Sequence, residues 1–451
     1  MFAALNSFLT RAVSGYFLNK SLRFRGSASA YLNRTPATAT NRTTWTWSAW
    51  VKRGTLGTYP ELFTAGVRTS PNPEFTITFE ADALRCYPYD GSSAVFDVKS
   101  TALYRDPAAW YHVIVAFDTT QATAADRVKF YVNGQQITSF ATASYPTQNS
   151  TWPINSVTPH QISGSTYAAQ QYFDGEMAEV NFVDGQALAP TAFGAYSTYN
   201  QWLPIRYAGT YGTNGFYLPF TNTASTSTLV ADSSGNANNW TPNNISLTAG
   251  STYDSLTDVP TLTSTTVANY AVLNPLQKHD AGYTVALTNG NLSVAITYVS
   301  GVNMITVPST VKTPTSGKWY WEITVKSTLA GAASGVGVIT PDSYIESTTP
   351  PTDNYLYVQN GNKYTNGTGT AYGSSYTNGD VIGVALDVGA GTITFYKNNT
   401  SQGTAFTGLA ATTYYAVVTL NDTGSYAANF GQQPFAYTPP SGFLALNTYN
   451  I

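Results

Sequence analysis

The sequence predicts an all-β protein made of two β-sandwiches, with one short amphipathic helix at the N-terminus. Aromatic residues make up 14% of the chain, and aromatic and β-branched side chains favour strands. Apolar and polar residues alternate in runs such as 44–51 (TWTWSAWV) and 75–79 (FTITF), which is the period of a strand with one buried face. A length of 451 residues is enough for two or three hydrophobic cores.

The charge content excludes several classes of partner. Charged residues are 10% of the chain, against roughly 25% in an average globular protein, and the net charge is -3. Nucleic acids and anionic membrane surfaces bind clustered basic residues, which this sequence lacks. No run of about 18 apolar residues occurs, so membrane insertion is not expected. Cys86 is the single cysteine, which excludes an intrachain disulfide and favours assembly in a reducing cytoplasm.

Residues 1–20 are predicted to form the N-terminal helix, because their apolar residues recur at the i, i+3, i+4, i+7 spacing of one helical face. The apolar face consists of Leu5, Phe8, Leu9, Ala12, Val13 and Tyr16. A short helix needs a surface to pack on. Two interpretations therefore stay open: this face docks the protein on a larger assembly, or it packs on the protein's own sandwich.

Residues 21–197 are predicted to be strands of the first sandwich. Four segments carry a family pattern by their order and spacing: 48–52 (SAWVK), 110–118 (WYHVIVAFD), 130–134 (FYVNG) and 173–180 (FDGEMAEV). Together they resemble the laminin-G or concanavalin A-like jelly-roll family. The resemblance implies two stacked antiparallel sheets, often a carbohydrate-binding face and in some members calcium.

Residues 198–283 are predicted to be an ordered connector rich in asparagine and glycine, because they hold too many aromatic residues and too few charges for disorder. The distinctive blocks are 215–220 (GFYLPF), 232–240 (DSSGNANNW), 254–260 (DSLTDVP) and 269–276 (NYAVLNPL). As a set they resemble the connector of virion proteins of tailed bacteriophages, especially marine ones.

Residues 284–451 are predicted to form the second sandwich. Its marks are 317–323 (GKWYWEI), 379–387 (GDVIGVALD), 391–398 (GTITFYKN) and 429–431 (NFG). Their order resembles a SPRY domain, which implies a β-sandwich built for binding. The family usually has glycine where Asn399 stands, in a turn predicted over residues 397–400, and asparagine is the next most tolerant of positive φ.

Catalysis is not expected. Concanavalin-like glucanases carry Glu-x-Asp-x-Glu on one strand face, where two acids flank a glycosidic bond. The nearest match is 174–178 (DGEMA), in which Ala178 takes the third position, and strict alternation places Glu179 on the opposite face. No metal site is predicted from spacing, although calcium is possible at Asp118, Asp174 or Asp232, because some jelly-roll relatives bind it through Asp and backbone oxygens.

A binding surface is predicted between residues 344 and 376, where tyrosines interleave with asparagines. Aromatic faces and neutral amides suit the recognition of sugars. An alternative stays open for about half of these tyrosines, namely burial in the core or in a subunit interface, and Tyr355 and Tyr357 could share one buried strand face. The predicted ligand-binding residues are Tyr355, Tyr357, Tyr364, Asn366, Tyr372 and Tyr376.

The resemblances together imply a phage tail fibre or receptor-binding protein, located on the virion, that attaches to host surface glycans by multivalent, non-catalytic binding. Its expected partners are other virion proteins, the host glycan and further copies of the chain, with a trimer favoured. The helix residues Leu5, Phe8, Leu9, Val13 and Tyr16 would dock it on the particle. A structural virion component is the alternative, and a polysaccharide depolymerase is a third.

Overall fold

The computed structural model describes residues 15–68, 73–167, 170–277, 283–298, 305–327, 334–341, 353–420 and 423–451. These ranges are almost entirely strands and turns, so the predicted all-β class is confirmed. None of their helices has the length and apolar character needed to cross a bilayer. The chain divides into a first unit, Met1–Leu247 with Asp254–Thr263, and a second unit, Thr248–Tyr253 with Ser264–Ile451.

The first unit contains β-strands joined by turns, three 3-10 helices (Gly26–Ala28, Ala124–Asp126 and Pro190–Ala192) and the short helix α1 (Thr226–Leu229). In chain order its strands are β1 (Ser21–Phe24), β2 (Tyr31–Arg34), β3 (Thr44–Arg53), β4 (Glu61–Ala65), β5 (Glu74–Glu80), β6 (Ala83–Tyr89), β7 (Asp97–Leu103), β8 (Trp110–Asp118), β9 (Val128–Val132), β10 (Gln135–Gln136), β11 (Phe140–Ser144), β12 (His160–Ile162), β13 (Gly175–Asp184), β14 (Gly194–Tyr196), β15 (Trp202–Pro204), β16 (Phe216–Leu218), β17 (Thr241–Asn243) and β18 (Ser255–Leu256).

Two eight-stranded sheets form the first unit's sandwich. One has the order β10-β9-β8-β3-β13-β1-β18, with β16 also paired to β13, and the other has the order β11-β7-β6-β5-β4-β12-β2-β17. Alternation along β3 directs Trp45 and Trp47 into the space between the sheets, where both are fully buried. The Trp45 ring lies 5.5 Å from the ring of Phe75 on the opposite sheet. These aromatic contacts between the sheets hold the sandwich together.

Residues of the predicted connector contribute strands to this sandwich, because β16, β17 and β18 pair with β13, β2 and β1. Buried ion pairs hold the segment around β18. The Asp254 carboxylate lies 3.2 Å from Nε of Arg23, and the Asp258 carboxylate lies 2.7 Å from Nζ of Lys52. Asp258 also accepts a hydrogen bond of 3.0 Å from the Trp110 indole. Each buried charge is thus matched by an opposite one, which burial requires.

The second unit is also built from strands. In chain order they are β19 (Tyr283–Thr288), β20 (Ser293–Tyr298), β21 (Ile305–Lys312), β22 (Lys318–Val325), β23 (Gly335–Ile339), β24 (Asn354–Val358), β25 (Asn362–Thr365), β26 (Thr368–Ala371), β27 (Val381–Asp387), β28 (Thr392–Lys397), β29 (Thr400–Phe406), β30 (Tyr415–Leu420), β31 (Gly424–Asn429) and β32 (Leu444–Ala445).

The second unit's sandwich joins a sheet of order β19-β20-β31-β22-β27-β28-β29 to a sheet of order β21-β30-β23-β24-β25-β26, and β32 pairs with β22 in parallel. Trp321 of β22 is fully buried, and Tyr357 of β24 lies 5.4 Å from Phe395 of the facing sheet. The turn predicted over residues 397–400 is present. Both Asn398 and Asn399 have positive φ, 46° and 69°, as a tight two-residue hairpin turn requires.

Candidate functional site

Three of the predicted ligand-binding tyrosines, Tyr357, Tyr372 and Tyr376, meet in one aromatic cluster of the second unit. The Tyr357 ring lies 5.4 Å from Tyr372, 5.0 Å from Tyr376 and 5.4 Å from Phe395. Tyr355, two residues before Tyr357 on β24, lies 5.3 Å from the ring of Phe406. The period of two puts Tyr355 and Tyr357 on the same face of the sheet, which is the alternative that the sequence left open.

These four tyrosines differ in exposure. Tyr357 and Tyr376 are buried, whereas Tyr355 and Tyr372 are half-buried. Tyr376 donates a hydrogen bond of 2.8 Å to the Tyr357 carbonyl, and Tyr357 donates one to the Ser374 carbonyl. Burial raises the pKa of Tyr357 and that of Tyr372 to about 12. Tyr357 and Tyr376 are therefore the buried members of the cluster and Tyr372 is its partly accessible member, while Tyr355 is partly accessible beside Phe406.

The other two predicted residues lie outside the cluster. Tyr364 of β25 is paired with Leu356, so it lies on the opposite face of the sheet from Tyr357 and packs there against a small apolar group that includes Val417. Asn366 occupies the turn between β25 and β26 with φ 48°. Its backbone and side chain bond to residues 353 and 354. Tyr364 and Asn366 thus contribute to packing and turn formation.

Strand β26, Thr368–Ala371, forms an exposed edge beside the aromatic cluster. All four residues are exposed, and β26 pairs only with β25 among the strands that the structure describes. In a two-residue hairpin, antiparallel pairs alternate between bonded and non-bonded. The bonded pair Gly361–Tyr372 fixes this alternation, so the N–H groups of Gly369 and Ala371 point away from β25.

Three side-chain contacts join the region beside the exposed edge to β29 of the facing sheet. Lys363 donates a hydrogen bond of 2.6 Å to the Ala405 carbonyl, and Tyr372 donates one to the Gly403 carbonyl. The Gln402 amide oxygen accepts a 2.9 Å bond from the Ser374 N–H. The edge is therefore held on a fixed support, while its own backbone remains accessible.

A second candidate site lies in the first unit around Glu179, on β13. The ladder between β13 and β3 shifts register between Ala178 and Asn181, and Glu179 has φ 53°. This bulge keeps Met177 and Val180 in the core and turns Glu179 to the outer face. The sequence-based placement of Glu179 on the face opposite Ala178 is therefore wrong. The sequence contained a signal of this bulge, because the apolar residues Met177 and Val180 are three positions apart, whereas core residues of a regular strand are two apart.

The Glu179 carboxylate is buried and held by two tyrosines. Tyr16 donates a 2.7 Å bond to its Oε1, and Tyr217 donates a 2.7 Å bond to its Oε2. Burial raises the pKa of Glu179 to about 7, although both tyrosine bonds and the charge of Arg206 favour ionisation. Sequence reasoning did not assign Glu179 to any site, because its partners lie far apart in the chain.

The predicted helix-face residues Leu5, Phe8, Leu9 and Val13 lie outside the described residues. Tyr16 is described, and its contacts are with Glu179 and, at 3.0 Å, with the Tyr217 hydroxyl. For Tyr16 the contact is thus with the first unit itself.

The aspartates considered for calcium each bond to their own surroundings. Asp118 accepts from Thr120 and Gln121, Asp174 accepts from the Gly26 N–H, and Asp232 accepts from the Tyr217 and Ser234 N–H groups. Among the described residues no three His, Cys, Asp or Glu side chains are grouped to hold a metal ion. Glu176 of the glucanase-like run is buried, and burial and the charge of Asp258 raise its pKa well above the usual value.

Comparison with known proteins identifies both sandwiches. The SPRY domain family matches residues 318–433, and the concanavalin A-like lectin/glucanases superfamily matches residues 25–192. The chain therefore contains a SPRY domain and a concanavalin A-like domain, as the motifs predicted. The SPRY domain of human HERC1 is similar at 23% identity with a TM-score of 0.31, over 37% of this chain and 99% of that chain.

Two curated relatives match part of the chain. E3 ubiquitin-protein ligase RKP of Arabidopsis thaliana is 30% identical over 134 residues, which are 29% of this chain and 10% of that protein. Ran-binding protein 10 of Danio rerio is 33% identical over 126 residues, which are 27% of this chain and 20% of that protein. The chain thus spans a fifth or less of the length of these two relatives.

These relatives overturn the expected function. They are eukaryotic cellular proteins, named for ubiquitin ligation and for Ran binding. The expectation of a phage virion protein that attaches to host glycans is therefore wrong, and so are its variants as a structural virion component or depolymerase. The expected virion partners, the host glycan and the virion location are wrong for the same reason. The favoured trimer was inferred from the fibre role and loses that basis.

Proposed function

We propose that this chain is a non-catalytic protein-interaction module, whose SPRY domain binds an extended segment of a partner protein along the exposed edge, Thr368–Ala371. The proposal rests on one observation above all: the backbone of this edge strand points outward beside an accessible aromatic cluster. The similarity of part of the chain to a ubiquitin ligase and to a protein named for binding Ran supports a protein as the partner.

The chemistry of the edge favours backbone recognition. Its residues, Thr-Gly-Thr-Ala, are small and uncharged, so they leave the N–H and C=O groups accessible. Soluble proteins usually protect such an edge with charges, proline or a bulge. An added strand would instead satisfy it through main-chain hydrogen bonds. Tyr355 and Tyr372, half-buried nearby, offer ring surface to the partner's side chains.

No catalytic step belongs to this proposal. The described groups around the edge include backbone amides, hydroxyls, tyrosine rings and the Lys363 ammonium, which is bonded to the Ala405 carbonyl. Burial holds the pKa of Tyr372 at about 12, far from a general base at neutral pH. The SPRY domain would act by holding a partner in place, and any specificity would come from side chains that flank the added strand.

A peptide-display experiment tests the proposal. Peptides selected from a random library against the full chain are expected to be extended, and Ala371→Pro should weaken their binding about tenfold or more, because it removes an outward N–H that the added strand needs. Ala371→Val is the matched control, since it keeps the N–H and suits a strand.

Both variants should unfold within a few degrees of the wild type, because the Ala371 N–H has no bond within the sheet. Equal binding by Ala371→Pro and Ala371→Val would exclude the edge as the binding surface. Failure to select any peptide would count against the interaction module itself.

A further inference from the structure

The first unit contains a cavity of about 480 Å³. Leu18 and Pro219 give it an apolar wall, and Lys20, Arg206 and Glu179 bring charged groups to it. Ligand pockets commonly have volumes of about 300–1,000 Å³, mostly apolar walls and a few placed polar groups. The cavity has this character, and it lies in a different unit from the SPRY edge.

Within the described ranges, Lys20 has no carboxylate at ion-pair distance. Its ammonium has no hydrogen bond or ion pair to any residue that the structure describes, although the side chain is partly buried. Burial accordingly lowers its pKa. Other buried cations of this unit have carboxylates close by, such as Lys52 with Asp258 at 2.7 Å and Arg53 with Asp82 at 2.9 Å. A desolvated ammonium without a partner is costly, so Lys20 is suited to bind an anion.

Arg206 is the second cation of the cavity. Its guanidinium carbon lies 3.6 Å from the centroid of the Tyr217 ring, which orients the planar group by a cation–π contact. To the part of the chain that the structure describes, it makes one hydrogen bond, a long one of 3.5 Å to the Ser233 carbonyl. Most of its N–H donors are therefore free to bind a planar acceptor, and a carboxylate matches the guanidinium fork.

The charge balance selects the kind of anion. Glu179 lines the same cavity, where Tyr16 and Tyr217 already satisfy its oxygens. At pH 8, above the Glu179 pKa of about 7, two cations and one ionised carboxylate leave a net charge of one positive unit. A ligand with one negative charge neutralises the cavity, whereas a dianion such as phosphate would leave an excess charge beside Glu179.

We propose that this cavity binds a small organic monocarboxylate, whose carboxylate group contacts Lys20 and Arg206 and whose apolar part packs against Leu18 and Pro219. The site is independent of the partner binding proposed for the SPRY domain. Tyr217 orients Arg206 through its ring and so acts as a positioning residue, whereas Glu179 limits the net charge of the cavity.

The test is a titration of the full chain at pH 8 with 4-methylpentanoate, phenylacetate and their uncharged amides, followed by calorimetry and by NMR shifts. At least one acid is expected to bind saturably and about tenfold more tightly than its own amide, with shifts centred on residues 16–20 and 217–221. Inorganic phosphate should bind more weakly than that acid.

Lys20→Gln and Arg206→Gln should each weaken binding of the acid about tenfold, and Lys129→Gln, a surface change elsewhere in the unit, should leave it unchanged. Thermal unfolding of each variant without ligand separates loss of binding from loss of fold, and the shift map of the wild type does not depend on any variant. The proposal is overturned if neither acid binds better than its amide, if phosphate binds more tightly, or if both glutamine variants bind as the wild type does.

Discussion

Glu179 combines a buried charge with a left-handed backbone, and this has a measurable consequence for stability. Burial raises its pKa in the folded protein to about 7, from an ordinary value near 4.5. Between these two pH values the unfolded chain releases the proton and the folded chain keeps it. The free energy of unfolding therefore falls as pH rises through this window, by about 3 kcal/mol in total for this group.

Glu179→Gln should remove that dependence. Relative to the wild type, the variant is expected to gain about 3 kcal/mol in unfolding free energy between pH 5 and pH 8, measured by urea unfolding at each pH. Asp126→Asn, at a surface site of the same unit, is the control and should not gain. A variant whose stability ran parallel to that of the wild type across this range would refute the assigned burial of Glu179.

Cys86 gives a second prediction for a single residue. Its side chain is fully buried on β6, and burial raises the pKa of the thiol well above its usual value. The thiolate is the reactive form, so a disulfide reagent at pH 8 should label the native protein only as fast as the first unit unfolds. In urea one thiol per chain should react at once. Rapid labelling of the native protein would contradict the burial.

Among the elements, the hairpin turn between β28 and β29 tests the role of asparagine in left-handed backbone. Asn399 has φ 69°, and glycine adopts this torsion without steric cost. Asn399→Gly should leave stability unchanged or raise it by up to about 1 kcal/mol, whereas Asn399→Val should lower it by about 1–2 kcal/mol.

Its neighbour Asn398 provides the contrast, since its side chain bonds to Asp380 and to the Val381 N–H. Asn398→Gly should therefore lower stability in urea unfolding, although its φ is also positive. Equal effects of glycine at both positions would show that torsion alone governs this turn.

Strands could be predicted from the sequence where the two-residue alternation of apolar side chains was unbroken. Site residues could not be predicted where that alternation was interrupted. The alternation of Trp45, Trp47 and Phe75 placed these rings in the core correctly. The extra residue at the Glu179 bulge reversed the predicted face. Burial of Tyr357 and Tyr376 depended on strands of the facing sheet, and local spacing carries no information about that contact.

At the scale of the molecule, the segment Asp254–Thr263 belongs to the first unit although it follows six residues of the second. Sequence composition grouped it with a connector, because short strands and asparagine-rich turns look alike wherever they pack. Its carboxylates, Asp254 and Asp258, pair with the buried cations Arg23 on β1 and Lys52 on β3. A single sequence gives no information about pairing between residues so far apart.

This pairing predicts where the first unit can be cut. A fragment of residues 1–263 keeps Asp254 and Asp258 and should unfold cooperatively on heating. A fragment of residues 1–247 leaves Arg23 and Lys52 without these carboxylates. Each buried cation left so costs up to about 3–5 kcal/mol, less the part that ionisation of the neighbouring Glu176 offsets. Both losses together approach the whole stability of a typical domain, about 5–15 kcal/mol. The shorter fragment should therefore be largely unfolded, as measured by near-ultraviolet circular dichroism.

The double change Asp254→Asn and Asp258→Asn in the longer fragment should reproduce most of that loss of stability. A stable 1–247 fragment would show that the ion pairs are dispensable.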